Sequence, residues 1–374
     1  MSEHVCVTGG AGFIGSHIVD ALLEKGYRVR IFDCLHPQVH GPDANVPEYV
    51  NPEAEFVRGD VRDYDALSRA LGDVDIIFHE AAAVGVGQSM YQVREYCEIN
   101  VMGTANLLHF LANERHRVRK IIVASSMSIY GEGKYRCERC GEVFPALRPE
   151  EQLKERDWEM KCPSCNLPAK PVPTDEEKPL RPTSVYAVTK RDQEELFLSM
   201  GFAYGIPAVA LRYFNVYGPR QALSNPYTGV CAIFSSRILN NHAPVIWEDG
   251  KQSRDFVHVR DVARANLLAL EKSGADYQAF NVGTGSAISI REVAEKLAEK
   301  LGRPLEPEFP GKFRAGDIRH CFADISKITK TLGYTPEFTF DQGVPILIEW
   351  AAKQEPEDNL ERAIEELKSK GLAE

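Results

Sequence analysis

Short strand-like runs alternate with helical patterns through the first half of the chain. Runs of apolar and β-branched residues predict strands at Val5–Thr8, Tyr27–Phe32, Glu55–Arg58, Val74–His79, Lys120–Ser126 and Ala208–Arg212. Apolar residues at helical spacing predict helices at Ser16–Lys25, Ala66–Leu71, Tyr96–Ala112 and Tyr186–Met200. This alternation predicts an α/β fold, with a doubly wound parallel sheet of the Rossmann type covered by helices on both faces.

The second half of the chain is less regular. Ser289 and Glu292 form a capping box that predicts a helix over Val293–Leu301, ended by Gly302. The charged tail holds three apolar residues at helical spacing, Leu360, Ile364 and Leu367. We therefore predict a peripheral helix near the carboxyl terminus.

Composition and charge exclude several classes of protein. Hydrophobic residues make up 44% and charged residues 26% of 374 positions, as in an ordinary globular protein. The net charge of −10 argues against general nucleic-acid or anionic-membrane binding, because both need an extended basic surface. No signal-peptide pattern is present, and no run approaches the roughly 18 apolar residues of a membrane span. Nine cysteines without a secretory signal indicate reduced thiols, so we expect a cytoplasmic protein.

A glycine-rich turn follows the first predicted strand. Its spacing is Gly9-x-x-Gly12-x-x-Gly15, which lets backbone amides approach a pyrophosphate at a helix amino terminus. Such a turn alone can be a plain strand-to-helix connection. Asp33 ends the second strand, where a carboxylate accepts hydrogen bonds from the ribose of NAD and repels the 2′-phosphate of NADP. Unless Asp33 is only a solvated loop residue, the pattern favours NAD over NADP.

A tyrosine and a lysine four residues apart begin a later helix. This spacing puts Tyr186 and Lys190 on one helix face, where the ammonium favours the phenolate over the phenol. A phenolate can remove the proton of an alcohol while hydride leaves the same carbon. The run Ala124–Gly131 closes a buried strand, where a serine hydroxyl can hydrogen-bond the reacting oxygen.

With these elements in this order, the sequence resembles the extended short-chain dehydrogenase/reductases, the NAD-dependent epimerase/dehydratase family of nucleotide-sugar enzymes. The resemblance covers nearly the whole chain apart from one insertion. It implies that Tyr186 is the catalytic base, Lys190 its activator and Ser126 the third catalytic residue. It also implies a set of cofactor-binding residues: Gly9, Gly12, Phe13, Ile14, Gly15, Asp33, Asp60, Val61, Ala81, Ala82, Ala83, Asn100, Tyr186 and Lys190.

The resemblance extends into the second half and implies a substrate site. The implied substrate-binding residues are Ser128, Asn215, Arg220, Arg254, Arg314 and Asp317. Asn215 corresponds to the family's diphosphate contact, and a guanidinium matches phosphate oxygens in bidentate fashion. In any other context each of these arginines would more often be a surface residue. We expect His258 to be a core or supporting residue and Asp261 to be a helix N-cap.

The resemblance also limits the reaction. Family dehydratases carry Asp-Glu directly after the catalytic hydroxyl residue, whereas this chain has Met127 and Ser128, which cannot do that acid/base work. The closest subgroup is the dTDP-6-deoxyhexose 4-epimerases and 4-ketoreductases. Asp33 favours an NAD-dependent epimerase that inverts C4 through a 4-keto sugar. The alternatives are an NAD(P)H-dependent 4-ketoreductase and a non-catalytic dinucleotide sensor.

The insertion contains two Cys-x-x-Cys pairs, Cys137 with Cys140 and Cys162 with Cys165. Two such pairs about twenty residues apart are typical of a closed zinc site with four cysteine ligands, so we predict a structural zinc ribbon. Redox-active or idle thiols are the alternatives. Zinc ribbons often bind nucleic acid, but acidic residues balance the basic ones here. We expect the ribbon to lie near the substrate mouth or a subunit interface.

These patterns divide the chain into four parts. Residues 1–215 are predicted to form the NAD-binding Rossmann domain, with the zinc ribbon inserted at 132–172. Residues 216–345 form mainly the smaller substrate-binding lobe, with some segments returning to the sheet, and 346–374 form the helical tail. The resemblance implies a homodimer that binds a nucleotide-diphosphate sugar and neither nucleic acid nor membrane.

Overall fold

The computed structural model describes residues 2–314 and 316–373 and contains a seven-stranded parallel sheet. The strands are β1 (His4–Thr8), β2 (Arg28–Asp33), β3 (Glu55–Arg58), β4 (Ile76–His79), β5 (Lys120–Ser126), β6 (Lys134–Cys137), β7 (Gly141–Val143), β8 (Ala169–Val172), β9 (Ala208–Tyr213), β10 (Asn215–Tyr217), β11 (Ser253–Arg254), β12 (Phe256–His258), β13 (Gln278–Val282), β14 (Ile288–Ser289) and β15 (His320–Cys321).

The α-helices are α1 (Phe13–Glu24), α2 (Pro37–His40), α3 (Tyr64–Leu71), α4 (Val86–Ser89), α5 (Val93–Tyr96), α6 (Gly103–Asn113), α7 (Glu150–Lys154), α8 (Val185–Tyr204), α9 (Val230–Leu239), α10 (Val259–Glu271), α11 (Ile290–Lys300), α12 (Ser326–Leu332), α13 (Phe340–Ala351) and α14 (Leu360–Ser369). A π-helical turn spans Cys97–Met102, and 3-10 turns span Met127–Tyr130 and Ser273–Ala275. Among the described residues, no helix is long and apolar enough to cross a membrane.

The large sheet has the strand order β13-β9-β5-β4-β1-β2-β3, and every pairing in it is parallel. Its two faces bury different residues of the same strand. Ile76 and Phe78 pack into one apolar cluster, while Ile77 packs into the cluster on the opposite face. Because side chains alternate between the faces of a strand, a strand with helices on both sides must be apolar throughout. The predicted Rossmann-type sheet is confirmed.

The sheet order reverses at β1, which pairs with β2 on one side and β4 on the other. Thr8 at the end of β1 lies in register with Phe32 and His79, so the residues that follow these three strands meet at one edge. In open α/β sheets, ligands bind in the crevice at such a switch point.

One predicted helix differs from the structure. The pattern over Tyr96–Ala112 predicts a single helix, but the chain forms α5, the π-helical turn and then α6. Asn100 lies inside the π-helical turn and is fully buried. A π-turn holds an extra residue per turn, which periodicity does not reveal, and such turns are frequent at functional sites.

The second half forms a smaller lobe that also returns to the large sheet, through β13. The predicted capping box is present, since the Glu292 amide donates to Ser289 and the Glu292 carboxylate accepts from the Ser289 amide. His258 is fully buried, as expected, but it also caps α10. The prediction of Asp261 as N-cap is wrong, because its buried carboxylate accepts from the amides of residues 337 and 338 instead.

The insertion forms a separate three-stranded antiparallel sheet in the order β7-β6-β8. Its small apolar cluster includes Tyr135, Val143 and Met160. The predicted tail helix is present as α14, which buries Ala363 and Leu367. Leu367 packs against Gly87 of α4, so the tail contacts the large domain close to the crevice.

Candidate active site

A cavity of about 330 Å³ lies at the switch point of the large sheet. It extends from the glycine-rich turn to Tyr186 and Lys190 and on to Phe214 and Val216 of the smaller lobe. It therefore connects the predicted cofactor residues with the first residues of the second half of the chain, and none of the predicted substrate-binding residues lines it. Enclosed clefts of several hundred Å³ are the usual place for a small-molecule site.

The glycine-rich turn forms one end of the cavity, and its glycines are required by close packing. A Cβ atom at Gly9 would lie 2.8 Å from the amide nitrogen of Ala81, and Gly9 has a φ of +71°. A Cβ atom at Gly15 would lie 2.2 Å from the carbonyl oxygen of Gly9. The turn can therefore bring helix α1 close to the sheet, and Phe13 and Ile14 at its amino terminus line the cavity. A helix amino terminus of this kind favours a pyrophosphate.

Asp33 lies next to this turn and is buried. Its carboxylate accepts hydrogen bonds from the amides of Ala11 at 3.0 Å and Leu35 at 2.8 Å. A carboxylate has about four acceptor positions, so two remain for the hydroxyls of a ribose. Asp60 and Val61 line the same end of the cavity.

The segment of Ala81, Ala82 and Ala83 lines the middle of the cavity. Asn100 does not reach the cavity wall. Its side chain accepts from the Ala83 amide at 2.7 Å and donates to the Ala83 carbonyl and to Thr189 of α8. The structure therefore makes Asn100 a brace between the cofactor segment and the helix of the predicted base.

Tyr186 and Ser126 meet at the centre of the cavity. Ser184 caps α8 by accepting from the amide of Ala187 at 3.1 Å, which places Tyr186 in the first turn of this helix. Burial raises the pKa of the Tyr186 phenol, and a hydrogen bond from the Ser126 side chain opposes that rise. The expected lowering of this pKa is not present in the structure, because desolvation of the phenolate outweighs the favourable contact.

Lys190 lies one turn further along α8 and lines the same cavity. Its ammonium donates to Gln193 at 2.7 Å and is almost completely buried. Burial lowers the pKa of Lys190 to about 8, and the carboxylates of Glu80 and Glu194 oppose that shift. Lys190 therefore lines the cavity with Tyr186, as the spacing predicts, and its ammonium loses its proton more readily than that of an exposed lysine.

Glu80 is a site residue that the sequence patterns do not identify. It lines the cavity directly after β4 and accepts a hydrogen bond from the hydroxyl of Tyr213 at 3.0 Å. Burial raises the pKa of Glu80 to about 7, while Lys190 and Tyr213 lower it. The available signal is a carboxylate that closely follows the apolar run Ile76–Phe78, at the end of a strand beside the switch point.

Two of the predicted substrate residues lie on the chain after β9. The side-chain oxygen of Asn215 is buried and has no hydrogen-bond partner among the described residues. A buried acceptor of this kind is costly unless a ligand or water pairs with it. Arg220 instead pairs with Asp20 of α1 at 2.7 Å and stacks over Tyr49. Substrate contact by Arg220 stays a prediction, and it would have to form beside this ion pair.

Of the remaining predicted substrate residues, Arg254, Arg314 and Asp317 lie around β11 and the chain before β15, and Ser128 lies in the 3-10 turn after β5. Arg254 donates to the carbonyls of Ser253, Ile318 and Arg319, which leaves two of its five donors for an anion. Arg314 pairs with Asp317 at 2.9 Å and stacks over Trp247. Ser128 donates to Ser126 at 2.9 Å and is absent from the cavity wall.

The four cysteines of the insertion converge on one point. The sulfur atoms of Cys137, Cys140, Cys162 and Cys165 all lie within 4.8 Å of one another. Tetrahedral coordination with Zn–S bonds of about 2.3 Å separates the sulfurs by about 3.8 Å. The predicted cluster is confirmed, and its dimensions suit a zinc ion.

The comparisons with known proteins agree with this geometry. The model of the NAD dependent epimerase/dehydratase family matches residues 5–149 and 162–283. The dTDP-L-rhamnose 4-epimerase of Burkholderia thailandensis is 36% identical over 94% of this chain and 96% of its own length. The UDP-glucose 4-epimerase of Thermotoga maritima, solved with UDP-glucose, is 31% identical over 94% of this chain and 99% of that one, with a TM-score of 0.75. The UDP-glucose 4-epimerase of Thermus thermophilus, solved with NAD, is 31% identical over 94% of this chain and 100% of that one, with a TM-score of 0.74.

The sheet order, the glycine-rich turn and the switch-point cavity define a Rossmann-type protein of the dinucleotide-binding class. The chain belongs to the NAD dependent epimerase/dehydratase family, because the family model and relatives over most of its length both match. The predicted family resemblance and the prediction of an enzyme of this family are confirmed.

Proposed function

We propose that the protein is an NAD-dependent nucleotide-sugar 4-epimerase that inverts C4 of a dTDP-6-deoxyhexose through a transient 4-keto sugar. The observation that carries the proposal is the convergence of Ser126, Tyr186 and Lys190 on a cavity that also contains the glycine-rich turn and Asp33. The similarity to a dTDP-L-rhamnose 4-epimerase supports dTDP as the nucleotide. Other relatives act on UDP sugars by name, so the substrate panel below includes both.

The cavity fits NAD in shape and in chemistry. Gly9, Gly12 and Gly15 line one end of the cavity, and the amino terminus of α1 faces the same place, where its amides would favour a pyrophosphate. The carboxylate of Asp33 keeps acceptors for a ribose and would repel the 2′-phosphate of NADP. In this proposal Asp60 and Val61 contact the adenine end of NAD, and residues 81–83 line the middle of the cavity.

Tyr186 is the proposed base that removes the proton of the sugar hydroxyl, and Ser126 is the proposed hydrogen-bond partner of the reacting oxygen. Bound NAD supplies the hydride acceptor. Because burial keeps the Tyr186 phenol protonated in the ligand-free site, the positive charges of Lys190 and of the oxidised cofactor are needed to favour the phenolate. Return of the proton and hydride to the turned keto sugar gives the epimer without net redox change.

The residues after Ser126 argue against dehydration. Met127 is buried and apolar, and the hydroxyl of Ser128 is engaged with Ser126. Neither can protonate a leaving hydroxyl. A 4-ketoreductase would use the same three catalytic residues but would need a reduced cofactor in each turnover, and Asp33 favours NAD over NADPH.

The four converging cysteines form the proposed structural zinc site. Four thiolates fill the tetrahedral shell and leave no position for a catalytic water. Thiolate ligands need a reducing compartment, so a cytoplasmic location is part of the proposal. Several basic residues of the module pair with acidic neighbours, as Lys154 with Glu150 and Lys161 with Asp157, which argues against nucleic-acid binding.

The proposed homodimer forms through two neighbouring parts of the surface. Val93 of α5 and Met102 of the adjoining π-helical turn are exposed, and so are Val188 and Leu196 of α8. Helix α8 packs against both of these elements, so the four apolar side chains belong to one region. Apolar surface of this kind is what an obligate dimer buries.

The test is incubation of the purified protein with dTDP and UDP sugars, with and without added NAD(P)H, followed by NMR of the products. Epimerisation of a dTDP-6-deoxyhexose without added reductant is the expected result. Stoichiometric consumption of NAD(P)H with a 4-keto sugar would establish the ketoreductase instead. Absence of any conversion across the panel would overturn the proposal.

A further inference from the structure

The cysteine module and the substrate lobe share a buried polar network. Glu132, the first residue of the module, is buried, and its carboxylate accepts from the amides of Arg319 at 2.7 Å and His320 at 2.8 Å. The hydroxyl of Tyr135 donates to the same carboxylate at 2.7 Å. Tyr135 is also part of the apolar cluster that contains Cys137 and Cys162. The interior of the module thus connects directly to the backbone of residues 319 and 320.

A second connection runs through Arg148, whose side chain is 1% exposed. Its guanidinium forms a bidentate pair with Glu248 of the substrate lobe, at 2.7 and 2.9 Å. It also donates to the carbonyl of Asp317 at 3.2 Å and to that of Trp158 within the module. Bidentate pairing fixes the orientation of both partners, and inside the protein it is not weakened by water.

Arg319 completes the network from the other side. Its fully buried guanidinium pairs with Glu248 and Asp249 of the substrate lobe and with Glu159 of the module. Glu248 is therefore shared by an arginine from the module and an arginine from the segment before β15. A rearrangement of the module would leave these buried charges without their partners.

The segment held by this network is the one that carries the proposed substrate contacts. The carbonyls of Ile318 and Arg319 accept from Arg254, and the side chain of Asp317 accepts from Arg314. The module thus contacts the same segment, residues 316–320, that contacts Arg254 and Arg314, the two proposed phosphate-binding arginines. The position of Arg254 and Arg314 depends on where this segment lies.

The module cannot hold its shape by apolar packing alone. Two members of its six-residue buried cluster are the metal-type ligands Cys137 and Cys162. Cys137 ends the strand that begins beside Glu132, and Cys162 follows Glu159 by three residues. A metal ion joining the four sulfurs would therefore fix both Glu132 and Glu159 relative to each other.

We propose that the metal-loaded cysteine module positions the nucleotide-diphosphate site, with Arg148 as the positioning residue that transmits its placement to residues 316–320. The inference rests on the proposed nucleotide-sugar function and assigns the insertion a part in substrate binding. Neither Arg148 nor the metal touches the substrate. Their effect is on the placement of Arg254, Arg314 and Asp317.

The test uses the full-length, zinc-loaded chain and measures the binding of dTDP, UDP and NAD by calorimetry. Because Arg148→Met alone leaves Glu248 with one partner fewer in the interior, the main variant is the double change Arg148→Met with Glu248→Gln. Arg136→Met is the matched control, since Arg136 lies in the same module but is exposed on its surface. Circular dichroism and zinc content verify that each variant is folded and loaded.

The double variant is expected to weaken dTDP or UDP binding about tenfold, because a small misplacement of binding groups is costly. NAD binding should stay within about twofold, and KM should rise more than kcat falls. Removal of zinc by a chelator should weaken the same nucleotide binding, and added zinc should restore it. Arg136→Met should change neither the nucleotide affinity nor the NAD affinity.

Unchanged dTDP and UDP affinities in both the double variant and the zinc-free protein would overturn this inference and leave the proposed function standing. Absence of dTDP and UDP binding by the parent chain would overturn the proposed function itself, and the inference with it. Loss of NAD binding together with nucleotide binding would mean general disruption of the fold and would also contradict a positioning role.

Discussion

The carboxylate of Glu80 and the ammonium of Lys190 face the same cavity, and each shifts the pKa of the other toward the charged form. Burial opposes both effects, because it raises the pKa of Glu80 and lowers the pKa of Lys190. The proposed activator of Tyr186, Lys190 of helix α8, therefore depends on a carboxylate at the end of β4. This relationship makes the activity sensitive to pH in a defined direction.

Replacing Glu80 with Gln should lower the pKa of Lys190, because it removes the negative charge that raises it. Lys190 then loses its proton at lower pH, and the alkaline limb of kcat/KM should move down by about one pH unit. The measurement is a pH profile of the epimerisation rate. Tyr213→Phe is the control, since it keeps the carboxylate and removes only the hydroxyl that hydrogen-bonds Glu80 and Asn266. An alkaline limb that stays in place would show that Glu80 does not tune the site.

Tyr186→Phe should lower kcat about 10² to 10⁴-fold, because it removes the proposed base. Affinity for NAD should change little, since the phenol is one of many groups on the cavity wall. Ser126→Ala should have a smaller effect in the same direction. The measurements are single-turnover kinetics and NAD titration. A Tyr186→Phe protein with the parent's rate on an authentic substrate would refute the assigned chemistry.

Asp33→Asn should reduce the preference for NAD over NADP. The amide keeps the shape of the side chain but removes the charge that repels a 2′-phosphate. The ratio of the dissociation constant of NADP to that of NAD should fall about tenfold, mostly through tighter NADP binding. Asp60→Asn serves as a comparison at the same end of the cavity. If the ratio is unaltered in Asp33→Asn, the carboxylate does not decide cofactor choice.

Cys162→Ser should abolish stoichiometric zinc binding, because a tetrahedral thiolate site needs all four ligands. Elemental analysis of the parent should find one zinc per chain. Limited proteolysis should then cut within residues 132–172 of the variant before it cuts the large sheet. Cys97→Ser is the control, since Cys97 is exposed and lies outside the cluster. Equal zinc content in parent and variant would rule out the proposed site.

Val188→Asp should convert the proposed homodimer to monomers, because it places a charge within the exposed apolar region of α5 and α8. Sedimentation velocity measures the change directly. Phe202→Asp is the control, because Phe202 is even more exposed but lies near the carboxyl end of α8. A parent protein that sediments as a monomer would contradict the proposed assembly.

The sequence by itself predicts those features that depend on local spacing. Strands Glu55–Arg58 and Lys120–Ser126 have the predicted bounds. Lys120–Ser126 is buried throughout, because burial on both faces of a sheet requires an apolar run, whereas Glu55–Arg58 is a partly exposed edge strand. The positions of Gly9, Asp33 and the Tyr186–Lys190 pair follow from a short turn, a strand end and one turn of helix. The four cysteines also converge as their spacing predicts.

Only the tertiary structure decides contacts between residues that are distant in the chain. Nothing in local patterning pairs Arg148 with Glu248, one hundred positions later, or Arg220 with Asp20. The raised pKa of Tyr186 likewise depends on how much water the packed lobes exclude. The periodicity of a sequence encodes which face of an element is buried. Which charged group lies opposite that buried face is decided by the packing of the whole chain.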